Sequence, residues 1–381
     1  MDERVREHAE VLVDWSARVE AGDDVVVSVA EDAHELGVAV AAALGERGAN
    51  VTTLYGSSEL SRAYLKGVEA GVDGDVDADD FDADPAVDRA VFEAADAYLR
   101  IGGGRNTTAS ADVDRPTRQA YAKARQGVRE ARMDTDWVST VHPTRSLAQQ
   151  AGMAYEEYQE FVYDAVLRDW ESLADEMARM KDVLDAGEAV RIVTERDGAP
   201  DTDVTMSIDG RTAVNSAASV AYDSHNLPSG EVFTAPYDTA GEVFFDVPMT
   251  IDATRVRNVH LAFEEGEVVD FSAEAGEDAL AEILDTDDGA RQLGELGIGM
   301  NRGIDRFTDS ILFDEKMGDT VHLAVGRAYD ACLPEGESGN DSAVHVDMIT
   351  DVSERSRLEV DGELVQRNGT FRWEDGFEAE D

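Results

Sequence analysis

Between Glu315 and Asp347 the chain holds two of its seven histidines, each inside an alternating apolar run: Val321-His322-Leu323-Ala324-Val325 and Val344-His345-Val346-Asp347-Met348. Alternation of this kind reads as β-strand. Residues two apart on a strand face the same side, so His345 and Asp347 converge. An imidazole and a carboxylate on one face are donors that zinc, cobalt and manganese accept. A lone strand histidine is more often a hydrogen-bonded core or edge residue. Two of them in so short a segment, with Glu315 upstream and Tyr329 between, favour a metal site.

Two carboxylates elsewhere sit in surroundings unlike those of a surface acid. Glu231 follows a turn signal, Asn226-Leu227-Pro228-Ser229-Gly230, and enters an apolar run that ends at Pro236. Glu295 lies in Leu293-Gly294-Glu295-Leu296-Gly297, where small residues let backbones approach closely. Any one glutamate of an acid-rich chain is expected at the surface, but a buried carboxylate must be paired or bind metal. Cys332 is the one cysteine, which excludes an intrachain disulfide and a cysteine-rich metal knuckle. It stands in no nucleophile motif and reads as a packed thiol. Asp73, Asp75 and Asp77 imitate the first half of a calcium loop, but Ala78 replaces the glycine of its sharp turn and Asp84 the closing glutamate. A solvated acidic loop is the better reading there.

The charge balance narrows the setting. Asp and Glu number 83 against 33 Lys and Arg, a formal net charge of -50, and the only lysines are Lys66, Lys123, Lys181 and Lys316. The acids are spread along nearly every segment rather than gathered in a tail. This suits a surface adapted to multimolar salt, where screening over a few ångströms suppresses self-repulsion. It argues against nucleic acid as a partner, because phosphate would be repelled. No apolar run approaches a membrane span, and the start MDERVREHAE reads as a charged helix rather than a signal peptide, so a cytoplasmic protein without membrane contact is expected.

Elements must then carry these groups. With 381 residues the chain can build two domains. The spacing predicts a helix over 3–21, strands over Val25–Val29 and Val51–Tyr55 around a helix over 34–46, and a strand over Ala97–Ile101 that runs into Gly102-Gly103-Gly104. That glycine run lacks the spacing of a nucleotide loop and reads as a tight turn. Alternating strands and helices imply a mainly parallel sheet in an N-terminal α/β domain. Residues 145–186 read as helical, with an aromatic stripe (Tyr155, Tyr158, Phe161, Trp170) suited to core or subunit contact. From Ala189 the pattern changes to strands: Val190–Thr194, Val204–Ile208, Val243–Pro248, and a hairpin from Val259 to Phe271 turning at Glu265-Gly266, with helices near 276–294. The expectation is an α/β chain with domains at 1–187 and 188–381, the second α+β, mainly antiparallel and carrying the metal site.

The segments SGEVFTAP, DDGARQLGELGIG, LFDEKMGDTVHLAVGRAY and HVDMI, with HPTRSLAQQAGM at 142–153, resemble in order and spacing the M29 family of metal-dependent aminopeptidases, over nearly the whole chain. The resemblance implies metal ligation by Glu231, Glu295, Glu315, His322, His345 and Asp347, with Glu295 bridging, a catalytic role for Tyr329, and a homodimer. The gap from Glu315 to His322 is longer than the family's ENASCH pattern. Six such ligands exceed the needs of one tetrahedral ion and suit two divalent ions about 3.5–4 Å apart, which activate a water against a scissile carbonyl. The expected activity is release of N-terminal residues from short peptides. A related dinuclear amidohydrolase or esterase, and an inactive metal-binding structural protein, stay open at this point.

Overall fold

The computed structural model describes residues 1–82, 85–251 and 254–379. The chain divides into two compact units, Met1–Leu167 with Ala218–Pro228, and Arg168–Ala217 with the described residues from Ser229 on.

In the first unit, four strands lie parallel: β1 (Asp24–Ala30), β2 (Asn50–Gly56), β3 (Ala97–Gly102) and β4 (Asp136–Val141), in the order β2-β1-β3-β4 with Asn226–Leu227 added at the β4 edge. The apolar runs of β1 and β3 are buried, while β2 at the sheet edge is largely exposed; helices separate consecutive strands, as parallel pairing requires. The predicted glycine turn is present at the end of β3. Gly103 has φ +139°, and an added Cβ would stand 3.2 Å from the Ala33 Cβ, the His142 carbonyl and the Thr144 methyl, so glycine is needed for close approach. The first helix runs only over Glu3–Glu10 and continues as a π-helical turn, Val11–Ser16, short of the predicted 3–21. The predicted 145–186 helix is three helices, Arg145–Gln150, Tyr155–Val166 and Trp170–Ala186. Tyr158, Phe161, Val162 and Tyr163 are buried within the first unit, so this part of the aromatic stripe is core. In the acidic 71–85 segment, Asp77 caps a short helical turn, Ala78–Asp80, while Val76 and Phe81 anchor the loop in a small apolar cluster; Asp84 lies outside the described residues.

The second unit carries two antiparallel sheets. The larger has nine strands among the described residues, including the hairpin Thr254–Glu264 and Glu267–Ala275. Its turn falls on Glu265 and Gly266, both with positive φ (51° and 87°), the backbone that a two-residue hairpin needs. The smaller sheet positions the site. Its strands are β5 (Val214–Ser216), β6 (Glu231–Thr234), β7 (Leu293–Gly299), β8 (Thr320–Gly326) and β9 (His345–Asp351), in the order β9-β8-β7-β6-β5. Every residue of β7 and β8 is buried. The helix Trp170–Ala186 lies against β5 and β6, and the Asn215 amide donates to the Ala174 carbonyl at 3.0 Å. Where the sequence suggests helix up to 294, the helix stops at Leu284 and a short turn, Asp288–Arg291, leads into β7.

Candidate metal centre

Register gathers the candidate ligands. Across the small sheet Glu231 pairs with Gly299, Gly297 with His322, Glu295 with Ala324, Ala324 with Asp347 and Gly326 with His345. Directly paired residues share a face and so do residues two apart on one strand, so Glu231, Glu295, His322, His345 and Asp347 all project from the same side. Gly297, Gly299 and Ala324 occupy the positions between them and leave the space open. A Cβ on Gly297 would lie 2.0 Å from both Cε1 and Nε2 of His322, so the imidazole occupies the volume this glycine vacates.

The side chains form two overlapping groups. One is Glu231, Glu295 and His322; the other is Glu295, His345 and Asp347; each residue of a group offers a donor atom within 4.8 Å of the others'. Glu295 belongs to both. Its Oε1 is 3.1 Å from His322 Nε2 and its Oε2 is 3.2 Å from His345 Nε2. His322 Nε2 also lies 3.6 Å from Glu231 Oε2, and His345 Nε2 lies 3.5 Å from Asp347 Oδ1. The His345 Nδ1–H donates to the Arg327 carbonyl at 2.8 Å, which aims Nε2 into the cluster.

The electrostatics call for cations. Glu231 and Glu295 are buried, Asp347 nearly so, and the one ammonium among them is the fully buried Lys316, 3.4 Å from Glu231 Oε1 and ion-paired with Glu315. Burial raises the Glu231 carboxyl, and only part of that is offset by Lys316 and His322. Burial also works against a charged His345, yet its hydrogen bonds with Asp347 and Glu295 push it up to about 11. Burial is the largest single effect on His322 and Asp347 too, but the hydrogen bond and charge of Glu295 with the charges of Glu231 and Asp347 together carry His322 up, and the His345 hydrogen bond with the charges of His322, His345 and Lys316 together carry Asp347 down. Protons on the imidazoles thus partly neutralise crowded carboxylates, a role divalent metal fulfils better with this donor set. Among the described residues Glu231 Oε2 is buried without a hydrogen-bond partner, as an atom reserved for a metal would be.

Five of the six candidate ligands therefore come together. Glu315, partly buried, stands outside both groups beside Lys316. Tyr329 flanks the cluster with its ring centroid 5.0 Å from that of His345; its phenol is raised by burial and by the charges of Glu295, Asp347 and Glu231, so it stays protonated. Cys332 is buried and pushed by that burial up to about 12, consistent with a packed thiol. Sequence reasoning missed Lys316 as a site residue, although a lysine next to Glu315 in a chain with four lysines was the available signal.

The model of the family described as "Thermophilic metalloprotease (M29)" matches residues 1–371. The chain belongs to the M29 metalloprotease family. Its enzyme class is that of the metal-dependent aminopeptidases. Among M29 relatives it is similar to Aminopeptidase T of Thermus thermophilus, 28% identical with 93% of each chain covered. It also resembles Aminopeptidase 2 of Geobacillus stearothermophilus, 33% identical over about half the length of that relative (54% of each chain). The solved structure of wild-type AmpT from Thermus thermophilus superposes with a TM-score of 0.81 at 26% identity, covering 97% of this chain and 99% of that one. The M29 fold thus agrees with the expected mixed architecture, parallel in the first sheet and antiparallel in the other two.

Proposed function

We propose that the chain releases N-terminal amino acids from short peptides, with Glu231, Glu295, His322, His345 and Asp347 holding two divalent cations and Glu295 shared between them. Glu315 completes the ligand set from its place beside Lys316. The observation that carries this reading is the pair of overlapping carboxylate–imidazole groups on one sheet face of an M29 chain. The nitrogen and oxygen donors suit zinc, cobalt or manganese. Bound there, such ions supply a water activated near neutral pH and a polarised scissile carbonyl. The chain's own contribution is orientation and charge: His345 is fixed through Arg327, His322 is seated in the gap at Gly297, and Lys316 sits against Glu231. Tyr329, protonated and next to His345, donates to the carbonyl oxygen as charge builds on it, an interaction worth about 3 kcal/mol in comparable donors.

The excess of acids supports our reading of a salt-rich cytoplasm as its setting, and the family resemblance supports a homodimer. Among the described residues no helix is long and apolar enough to cross a membrane. The test is hydrolysis at high salt of amino-acid anilides with free and with N-acetylated amino termini, before and after chelation. The reading predicts cleavage of the free-amine substrates alone, lost on chelation and in Glu295→Gln. Equal cleavage of acetylated substrates would point instead to a general amidohydrolase, and bound metal without turnover to a structural role.

A further inference from the structure

We propose that the apolar cavity beside His345 and Asp347 receives the side chain of the substrate's N-terminal residue and selects aliphatic and aromatic side chains over charged ones. This rests on the aminopeptidase reading and specifies its substrate. The cavity, about 380 Å³, has His345, Val346 and Asp347 in one wall, so it shares two candidate ligands with the metal centre and borders it. The other walls are mainly apolar: Met249, Ile251, Ile283, Phe307, Ile311 and Ile349. Its size is that of a small-ligand pocket.

The polar groups in the lining are already engaged. Asp309 is ion-paired with Arg255 at 2.8 Å and accepts the Thr250 hydroxyl at 2.9 Å. Asp314 accepts the Thr308 amide at 2.8 Å, the Thr308 hydroxyl at 2.7 Å and the Ser310 amide at 2.9 Å. The Arg255 guanidinium also lies 4.7 Å from the Phe307 ring centroid, which holds that ring in place. Asp309 and Asp314 are thus already satisfied and not arranged to draw in a lysine or arginine side chain, and an acidic one would meet the carboxylates of Asp309, Asp314 and Asp347 in an otherwise mainly apolar lining. Exposure points the same way. In a chain with a net charge of -50, Ile311 is 53% exposed at this cavity and Tyr329 is 47% exposed beside His345. Apolar surface left open next to reactive groups marks a place that a ligand covers.

The test compares kcat/KM of the metal-loaded enzyme at high salt for the p-nitroanilides of Leu, Phe, Ala, Lys and Glu. Leu and Phe should exceed Ala by about tenfold or more, since even one methylene in such a pocket discriminates by that much, and Lys and Glu should not exceed Ala. Ile283→Trp, which narrows the cavity, should lower the Leu-to-Ala ratio at least tenfold. Ile311→Asp, at an exposed position that does not threaten the fold, should raise the Lys-to-Leu ratio at least tenfold. A general loss of structure would lower all substrates together and leave the ratios unmoved. Unmoved ratios in both variants, with Ala still cleaved, overturn the pocket and spare the aminopeptidase reading. No cleavage of any free-amine substrate by the metal-loaded wild type overturns both.

Discussion

Replacing Gly297 by alanine adds one methyl group and tests whether the sheet positions His322 as described. Gly297 pairs with His322 across β7 and β8, and its φ lies outside the left-handed region, so alanine meets no backbone penalty there. The difficulty is steric. The new Cβ would lie 2.0 Å from His322 Cε1 and Nε2, whereas carbon atoms settle at about 3.5–4 Å, so the ring must retreat by roughly 1.5 Å. Such a shift removes Nε2 from the 3.1 Å contact with Glu295 and the 3.6 Å approach to Glu231. Overpacking a buried strand costs about 1–3 kcal/mol of stability, while a 1 Å misplacement at a reacting centre costs about a hundredfold in rate. Gly297→Ala should therefore remain folded, with kcat/KM on leucine p-nitroanilide reduced about a hundredfold or more and metal content lowered. Gly45→Ala is the control: it lies in the helix His34–Arg47 with nothing within 4 Å of the added Cβ, and should gain about 0.4–1 kcal/mol with unchanged rate. A Gly297→Ala enzyme with wild-type activity and full metal would refute the reasoning.

Lys316 is the one ammonium beside the buried carboxylates among the described residues, so Lys316→Gln leaves Glu315 without its cation and Glu231 with only the His322 imidazole. It should destabilise the chelated protein by about 3 kcal/mol or more and the metal-loaded protein by less; equal losses in thermal unfolding would contradict this. In the first unit, His8 is fully buried, with Nε2 2.8 Å from the Thr140 hydroxyl, and burial together with the charge of His142 pushes it down to about 3 from an ordinary 6.5. Its folded value lies below its unfolded one, so stability is fully present above pH 6.5 and declines as pH falls towards 3, where the unfolded chain takes up a proton the folded chain refuses. The loss is about 1.4 kcal/mol by pH 5.5. His8→Gln should flatten that part of the profile, and an unchanged slope in denaturant titrations would count against it. Raising KCl from 0.1 to 1 M shortens the screening length from about 10 to about 3 Å. With a net charge of -50, the midpoint of unfolding should rise with salt, and a fall would overturn the high-salt reading.

The parts of the site legible in the sequence are those where a local rule holds. His345 and Asp347 share a face because strand period is two, and both point into the cluster. Glu231 and Glu295 stood out through their apolar and glycine-rich surroundings, and both are buried. The strand β7 was not legible, because Leu-Gly-Glu-Leu-Gly-Ile-Gly has poor strand propensity. Its glycines are explained by what lies opposite: His322 fills the space at Gly297, and the Met317 carbonyl would stand 2.0 Å from a Cβ at Gly299. That demand arises only when strands 20 residues apart come together. The breaks in the 145–186 helical stretch follow Gln150 and Val166, where local propensity gives weak warning. Lys316 escaped notice as a site residue because its burial depends on packing against Glu231, 85 positions earlier.

The proposed arrangement puts two divalent ions on one sheet face with Glu295 between them. Anomalous diffraction from crystals of the purified protein loaded with cobalt or zinc tests it most directly. Two peaks per chain are expected, one among Glu231, Glu295 and His322 and one among Glu295, His345 and Asp347. A single ion, or ions bound elsewhere while the enzyme remains active, would contradict it.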